Sequence, residues 1–183
     1  MALLTAAAIL TGCGDRAKES SGGKNASDAP TSSLMNKKSI KDFDVQPLNL
    51  ADVKPCKLLT TEQARTLGLY SDKSKMMGIP MQQTAANCYW TDSGGTVDVQ
   101  IHEDTDGPET VAWLSLRQGG KPETIKGYPA SALKISNTSC NVQVGVSDTY
   151  YLYLQVQSHK FPGGACALGR STAEKILTNE TSG

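Results

Sequence analysis

Residues 150–157 read YYLYLQVQ. From position 151 the stretch alternates between apolar and other residues, which places on one side Leu152, Leu154 and Val156 and on the other Tyr151, Tyr153 and Gln155. A period of two is typical of a half-buried strand, because successive side chains point to opposite faces of a sheet. The stretch therefore predicts a strand with an apolar inner face and a tyrosine-bearing outer face.

Four further stretches predict strands around this one. CNVQVGV (140–146) alternates cleanly, and PASALKI (129–135) is a shorter candidate. CYW (88–90) is followed after TDSGG by TVDVQI (96–101), which is typical of a hairpin. In TVDVQI the alternation predicts an inner and an outer set of side chains, namely Val97, Val99 and Ile101 against Asp98 and Gln100.

Helical patterns lie between and around these strands. In KPCKLLTTEQARTLGLY (54–70), Thr60 and Gln63 have the spacing of a capping box, and Gly68 is placed to end the helix. DGPETVAWLSLRQGG (106–120) has Pro108 in its first turn and predicts a second helix. ACALGRSTAEKILTNE (165–180) predicts the last helix, whereas SDKSKMMGIPMQQTAAN (71–87) has no period and predicts a loop.

The predicted order is therefore helix, hairpin, helix, strands, helix. This order favours an α+β fold, with helices packed on an antiparallel sheet. The chain has 183 residues with 18 basic and 18 acidic side chains, a balance that argues against electrostatic binding of nucleic acid.

The N-terminal sequence predicts export and attachment to a membrane. Residues 3–12 are apolar but too short to cross a membrane, which takes roughly 20 helical residues, and they have the size of a signal-peptide core. LTGC (10–13) resembles the lipobox of bacterial lipoproteins, in which the cysteine is acylated. We expect a signal peptide over 1–12 and a membrane anchor at Cys13, with the exported protein held at the outer face of the cytoplasmic membrane.

Composition divides the rest of the chain. Residues 13–50 are rich in Ser, Gly, Lys, Asn and Asp and predict a lipidated cysteine followed by a flexible tether. We expect the few apolar residues near its end to dock on the domain at most; they include Ile40, Phe43 and Val45. Residues 51–178 then form one α+β domain, and 179–183 form a tail.

Four cysteines remain after Cys13. An even number in an exported chain predicts two disulfides, with three alternative pairings. Cys56 and Cys166 precede predicted helices, whereas Cys88 and Cys140 begin predicted strands. We therefore expect Cys56 to pair with Cys166, and Cys88 with Cys140.

The order of these motifs resembles a known family. A lipobox and tether followed by KPCKLLTTEQARTLGL, CYW and GACALGRSTAEKIL is similar to actinobacterial cell-envelope lipoproteins with a domain of unknown function, of the 3558 type. The resemblance covers roughly residues 52–178. It implies an exported, tethered, disulfide-bonded domain, and it brings no catalytic residues.

The sequence offers no catalytic or metal-binding constellation. The two histidines, His102 and His159, have no zinc-site spacing, and no GxSxG motif is present. HEDTDG (102–107) contains a fragment of a calcium loop but lacks its closing glutamate. We expect no enzyme activity, no cofactor and no metal.

Two groups are candidates for binding. Tyr151 and Tyr153 are expected to face outward, where tyrosines suit a binding surface, although cover by a helix is an alternative. Met76, Met77 and Met81 lie in the predicted loop and could lie over apolar surface. We therefore predict a membrane-anchored, non-enzymatic binding domain for a protein or envelope partner. The alternative is a carrier holding a lipid or apolar small molecule between sheet and helices.

Overall fold

The computed structural model describes residues 39–69, 76–78, 86–91, 94–104, 111, 117 and 119–181. Within them, seven strands form one antiparallel sheet, six of them long and one a three-residue edge strand. The strands are β1 (Met76–Gly78), β2 (Ala86–Thr91), β3 (Gly95–Glu103), β4 (Lys121–Ile125), β5 (Tyr128–Lys134), β6 (Ser139–Gly145) and β7 (Tyr150–Ser158). Two helices begin and end within the described residues, namely α1 (Thr61–Thr66) and α2 (Gly164–Glu180). In addition, 3-10 turns span Ile40–Asp42 and Pro55–Lys57.

The sheet joins two meanders edge to edge. Its strand order is β1-β2-β3-β7-β6-β5-β4, so β3 of the first meander pairs with β7 of the second. That pairing is nine residues long, from Gly95 opposite Ser158 to Glu103 opposite Tyr150. The register places Val99 opposite Leu154, and both residues are fully buried. The two strands with the clearest period in the sequence therefore form the centre of the sheet.

Helix α2 covers the apolar face of β6 and β7. Leu168, Ala173, Ile176 and Leu177 are buried against the inward residues of these strands. Gly169 allows the close approach, because a Cβ at this position would lie 2.6 Å from Cγ2 of Val142. The buried face of α2 and the inward residues of β6 and β7 therefore belong to one apolar core.

The prediction of an α+β fold with an antiparallel sheet, packed helices and two disulfides is confirmed, but the predicted element order is not. The sheet dominates. Residues 71–87, predicted as a loop, contain β1, which pairs with β2 at the sheet edge. β4 was missed because its sequence KPETI is polar and contains a proline, which is tolerated at a sheet edge. The predicted second helix lies largely outside the described residues, although Val111 and Arg117 are helical.

The first helix begins as predicted. The Thr60 hydroxyl accepts a hydrogen bond from the Gln63 amide, and the Gln63 side chain accepts one from the Thr60 amide. Gly68 follows the helix with a φ of 77°, a left-handed conformation that favours glycine. Only six residues are α-helical, however, because the chain before Thr60 forms a 3-10 turn at Pro55–Lys57.

The folded domain begins before residue 51. Residues 39–50, which we call the N-terminal segment, pack against the second meander instead of continuing the predicted tether. Ile40 is buried, and its backbone N–H donates to Oδ1 of Asp148 at 2.7 Å. The Leu48 amide donates to the carbonyl of Val146 at 2.8 Å. The polar composition of this stretch predicts a tether in which a few apolar residues dock on the domain at most.

The predicted number of disulfides is confirmed, but the predicted pairing is wrong. Cys56 bonds to Cys88 and Cys140 bonds to Cys166, with Cα–Cα distances of 5.1 and 5.0 Å. α2 lies across β6, so Cys166 in its first turn comes opposite Cys140 at the start of that strand. The 3-10 turn that carries Cys56 contacts β2 in the same way. Each bond therefore joins a helical segment to a strand, and the predicted helix–helix and strand–strand bonds do not form.

No helix in the part of the chain that the structure describes has the length and apolar character needed to cross a membrane.

Candidate functional site

The second face of the sheet carries polar and aromatic side chains. We call it the polar sheet face, and its central residues are Asn87, Tyr89, Asp98, Gln100, His102, Asn141, Gln143, Tyr151, Tyr153 and Gln155. The register aligns them in rows across β2, β3, β7 and β6. One row runs from Asn87 through Gln100 and Tyr153 to Gln143. The alternation of the strands thus places on one surface residues that lie far apart in the sequence.

Several of these polar side chains are buried. Asn87, Asp98 and Gln143 are only 0, 3 and 7% exposed. Alternation predicted Asp98 and Gln100 on the outer face, which is correct, but their burial was not predicted. Among the described residues, Oδ1 of Asn87, Oδ1 of Asp98 and Oε1 of Gln143 have no hydrogen-bond partner. Buried polar atoms are normally paired, so these three acceptors are exceptional.

A chain of hydrogen bonds runs along β3. Nε2 of Gln100 donates to Oδ2 of Asp98 at 2.9 Å, and Oε1 of Gln100 lies 2.9 Å from Nε2 of His102. Nδ2 of Asn87 donates to the same oxygen of Asp98 at 3.5 Å. Burial raises the pKa of the Asp98 carboxyl, against these hydrogen bonds and the nearby His102. The buried carboxyl is therefore held by the side-chain amides of Gln100 and Asn87 and by the Tyr89 hydroxyl.

His102 belongs to an aromatic cluster that sequence reasoning missed. Its ring stacks on Tyr151 at a centroid distance of 4.9 Å and meets Tyr153 edge-on at 5.8 Å. Burial lowers the pKa of His102, outweighing the carboxylates of Asp104 and Asp98. The cluster results from the register of β3 with β7, which places His102 opposite Tyr151. This register is not visible in the local sequence pattern. Both tyrosines lie half-buried on the polar sheet face, where the sequence predicts side chains that face outward or are covered by a helix.

A groove opens at one end of the polar sheet face. Its volume is about 370 Å³, and its lining includes Tyr89, Asp98, Ser139, Asn141, Gln155 and Gln157. Ile135 lies at its rim and is 56% exposed, more than any other large hydrophobic residue among those described. The volume falls in the lower range for small-ligand sites.

A second pocket of about 280 Å³ lies on the other side of the molecule's core. It is lined mainly by the end of α1 and the segment before α2, including Leu67, Leu69, Lys160 and Phe161. Its lining also includes Gly95 of β3, Ser158 of β7 and Leu168 of α2, so the pocket lies between the sheet and the two helices at one end of the strands.

The remaining predicted site residues are dispersed. Met76 and Met77 lie in β1, opposite Cys88 and Asn87, while Met81 falls outside the described residues. The same is true of Cys13, so the predicted anchor is not described. His159 is exposed after β7. In the described ranges no group of three or more histidine, cysteine or acidic side chains is arranged to hold a metal.

Comparison with known proteins gives the family. Residues 8–179 match the family model described as "Protein of unknown function (DUF3558)". The chain belongs to this family. No curated protein and no solved structure matches the chain. As a DUF3558 member it shares a domain whose description names no activity, so the geometry of the polar sheet face is the basis for a functional proposal.

Proposed function

We propose that this protein is a membrane-anchored envelope lipoprotein whose domain binds an envelope partner through the polar sheet face, without catalysis. One observation carries the proposal: three buried acceptors on that face, on Asn87, Asp98 and Gln143, have no partner among the described residues. Leaving such atoms unpaired costs about 1–3 kcal/mol each. Of the three residues, Asp98 lines the groove, where a bound donor could approach its carboxyl group. The flanking His102, Tyr151 and Tyr153 provide aromatic contact area at low entropic cost.

The absence of catalysis in this proposal is inferred from the character of the candidate site. General acid–base catalysis needs a titratable group that can reach a substrate. Asp98 is held by two amides in a row of neutral side chains, and His102 lies between tyrosine rings and the amide of Gln100. Such an arrangement is suited to recognition.

The anchor proposal comes from the sequence. LTGC at 10–13 resembles a lipobox, and the folded domain is described from residue 39, which leaves 25 residues (14–38) between. A chain of that length spans at most about 90 Å when extended. Cys13→Ser is expected to move the protein from the membrane fraction to the soluble exported fraction. Unchanged membrane association of this variant would contradict acylation at Cys13.

The binding face is tested by site-specific photocrosslinking in the producing cells. A benzophenone side chain replaces Gln157, exposed at the groove, and in the matched control it replaces Lys175, exposed on α2. We expect a discrete adduct of fixed mass from position 157 only. Equal adducts from both positions, or none from position 157, would contradict a binding role for the polar sheet face.

The second candidate function is the carriage of a lipid or other apolar small molecule. The pocket beside Leu67, Leu69 and Phe161 favours it, with Lys160 available to an anionic headgroup. Native mass spectrometry of the gently purified full chain is the test. A co-purifying mass lost on denaturation is expected for a carrier, whereas a bare chain mass four hydrogens below the reduced form argues against it.

A further inference from the structure

We propose that the groove on the polar sheet face binds a neutral, hydroxyl-rich ligand, namely a saccharide unit of the cell envelope. The inference rests on the proposed binding function and names its ligand class. It starts from Asp98, which lines the groove, is 3% exposed, and presents an oxygen without a partner in the described part of the chain.

The atoms that need a partner are acceptors. They are one carboxylate oxygen and two amide oxygens, and only Oδ1 of Asp98 belongs to a residue that lines the groove, so the group missing there is a donor. Sugar hydroxyls supply donors, and each hydroxyl also accepts. The groove can pair with both the donor and the acceptor of a hydroxyl, because the side-chain amides of Asn141 and Gln155 each carry an acceptor oxygen and a donor nitrogen.

Charge argues against other polar ligands. Among the described lining residues none is basic, and the one acidic residue is Asp98. A phosphate or a nucleic acid would bring negative charge without a cation to meet it. A hard cation would find a single carboxylate in the groove, which is fewer charged oxygen ligands than such an ion usually takes.

The groove also offers apolar contact on two sides. Tyr89 on β2 borders it, and Ile135 borders it beyond β6. Sugar rings present C–H faces between their hydroxyls, so an aromatic ring and an aliphatic side chain on opposite sides of a polar floor match them. A peptide strand is less suited, because the face of a sheet presents side chains and its backbone hydrogen bonds are already used by neighbouring strands.

The test is an NMR titration of the full-length chain in a detergent without sugar headgroups. The probes are the methyl glycosides of glucose, galactose, mannose, arabinose and N-acetylglucosamine at millimolar concentrations. We expect saturable shifts in the side-chain amide signals of Asn141 and Gln155 with at least one probe. Methyl glucuronide, which adds a carboxylate to methyl glucoside, should bind more weakly than its neutral parent.

Two variants and one control locate the response. Asn141→Ala and Gln155→Ala should each weaken binding about fivefold, the effect of one lost hydrogen bond. Asn137→Ala, in the exposed β5–β6 turn, should leave the affinity unchanged. A response that survives both groove variants, or no saturable shift with any neutral glycoside, would overturn the proposal. If the crosslink at position 157 still forms in that case, the binding face stands and only its ligand class is wrong.

Discussion

The imidazole of His102 stacks on the phenol ring of Tyr151, with centroids 4.9 Å apart and ring planes within 12°. The stack joins β3 to β7 at the seam between the two meanders. Aromatic pairs of this kind contribute about 0.5–1.5 kcal/mol beyond the burial of their area. The seam is thus reinforced by side chains on the polar sheet face as well as by backbone hydrogen bonds.

Stability should depend on pH through His102. Burial lowers the pKa of His102 in the folded state below its unfolded value of 6.5, so the unfolded chain binds more protons as the pH falls below that value. The free energy of unfolding should therefore decrease on acidification from pH 6.5, and less so in His102→Gln. Urea denaturation across this range measures it. His159→Gln removes the exposed histidine, and an equal loss of slope in that control would contradict a role for burial at His102.

Asp98→Asn should stabilise the protein at neutral pH. Burial raises the pKa of Asp98, so the folded state loses stability as the pH rises from about 3.8 through the folded pKa. The amide removes this charge and adds a donor beside Asn87, whose Oδ1 is unpaired among the described residues. We expect a gain of about 1 kcal/mol at pH 7, the value of one hydrogen bond, and a smaller gain below pH 3.8. Thermal melting at both pH values is the measurement, and a loss of stability at pH 7 would contradict the expectation.

The centre of the sheet could be read from the sequence, and its edges could not. β3 and β7 alternate cleanly, because each has one apolar buried face and one polar face. The apolar face of β7 packs on α2, and β3 contacts the 3-10 turn at Pro55–Lys57. β4 is an edge strand with a single fully buried position, Ile125, and β1 is an edge strand of only three residues, so neither carries much periodic signal. The order of strands depends on the long-range pairing of β3 with β7, which no local pattern encodes.

The candidate site was predictable only in its tyrosines. Tyr151 and Tyr153 stood out because they alternate with leucines. Asn87, Asp98 and Gln143 look like ordinary solvent-facing residues of strands, and their burial depends on the tertiary structure. The cysteine pairing failed for a related reason, since the type of element that a cysteine begins says little about which element lies opposite it.

Gly169→Ala should destabilise the domain, although alanine is the better helix former. The added Cβ would lie 2.6 Å from Val142 and 3.2 Å from Val156, so α2 must move away from the sheet. A loss of about 1–3 kcal/mol is expected for such overpacking. Ser171→Ala, at a partly exposed position of the same helix, is the control and should be neutral or slightly stabilising. Urea midpoints compare the two, and a stabilised Gly169→Ala would contradict the tight helix–sheet contact.

The N-terminal segment should be part of the stable domain. Ile40→Ala leaves a cavity at a side chain that is 1% exposed, and we expect a loss of about 2–5 kcal/mol. Lys41→Ala, at the exposed neighbouring position, should change stability little. A chain starting at Asp52 should melt at a lower temperature than one starting at Ser39. Equal melting temperatures would show that the segment adds nothing.

Each disulfide should be worth several kcal/mol. The bonds close loops with separations of 32 and 26 residues, which the chain-entropy model values at about 3.5 kcal/mol each. Replacing Cys56 and Cys88 by alanine together should cost about that much, and so should replacing Cys140 and Cys166. Peptide mapping without reduction should recover the same two pairs. Recovery of a Cys56–Cys166 peptide would contradict the structure.

The disulfide connectivity has a consequence for how the chain is oxidised during biogenesis. Among the four bonded cysteines, the first pairs with the second and the third with the fourth. A chain that emerges N-terminus first presents each cysteine to its partner before the next pair appears. If Cys13 is acylated as proposed, an oxidant that joins the remaining cysteines in their order of emergence produces the native bonds directly, without isomerisation.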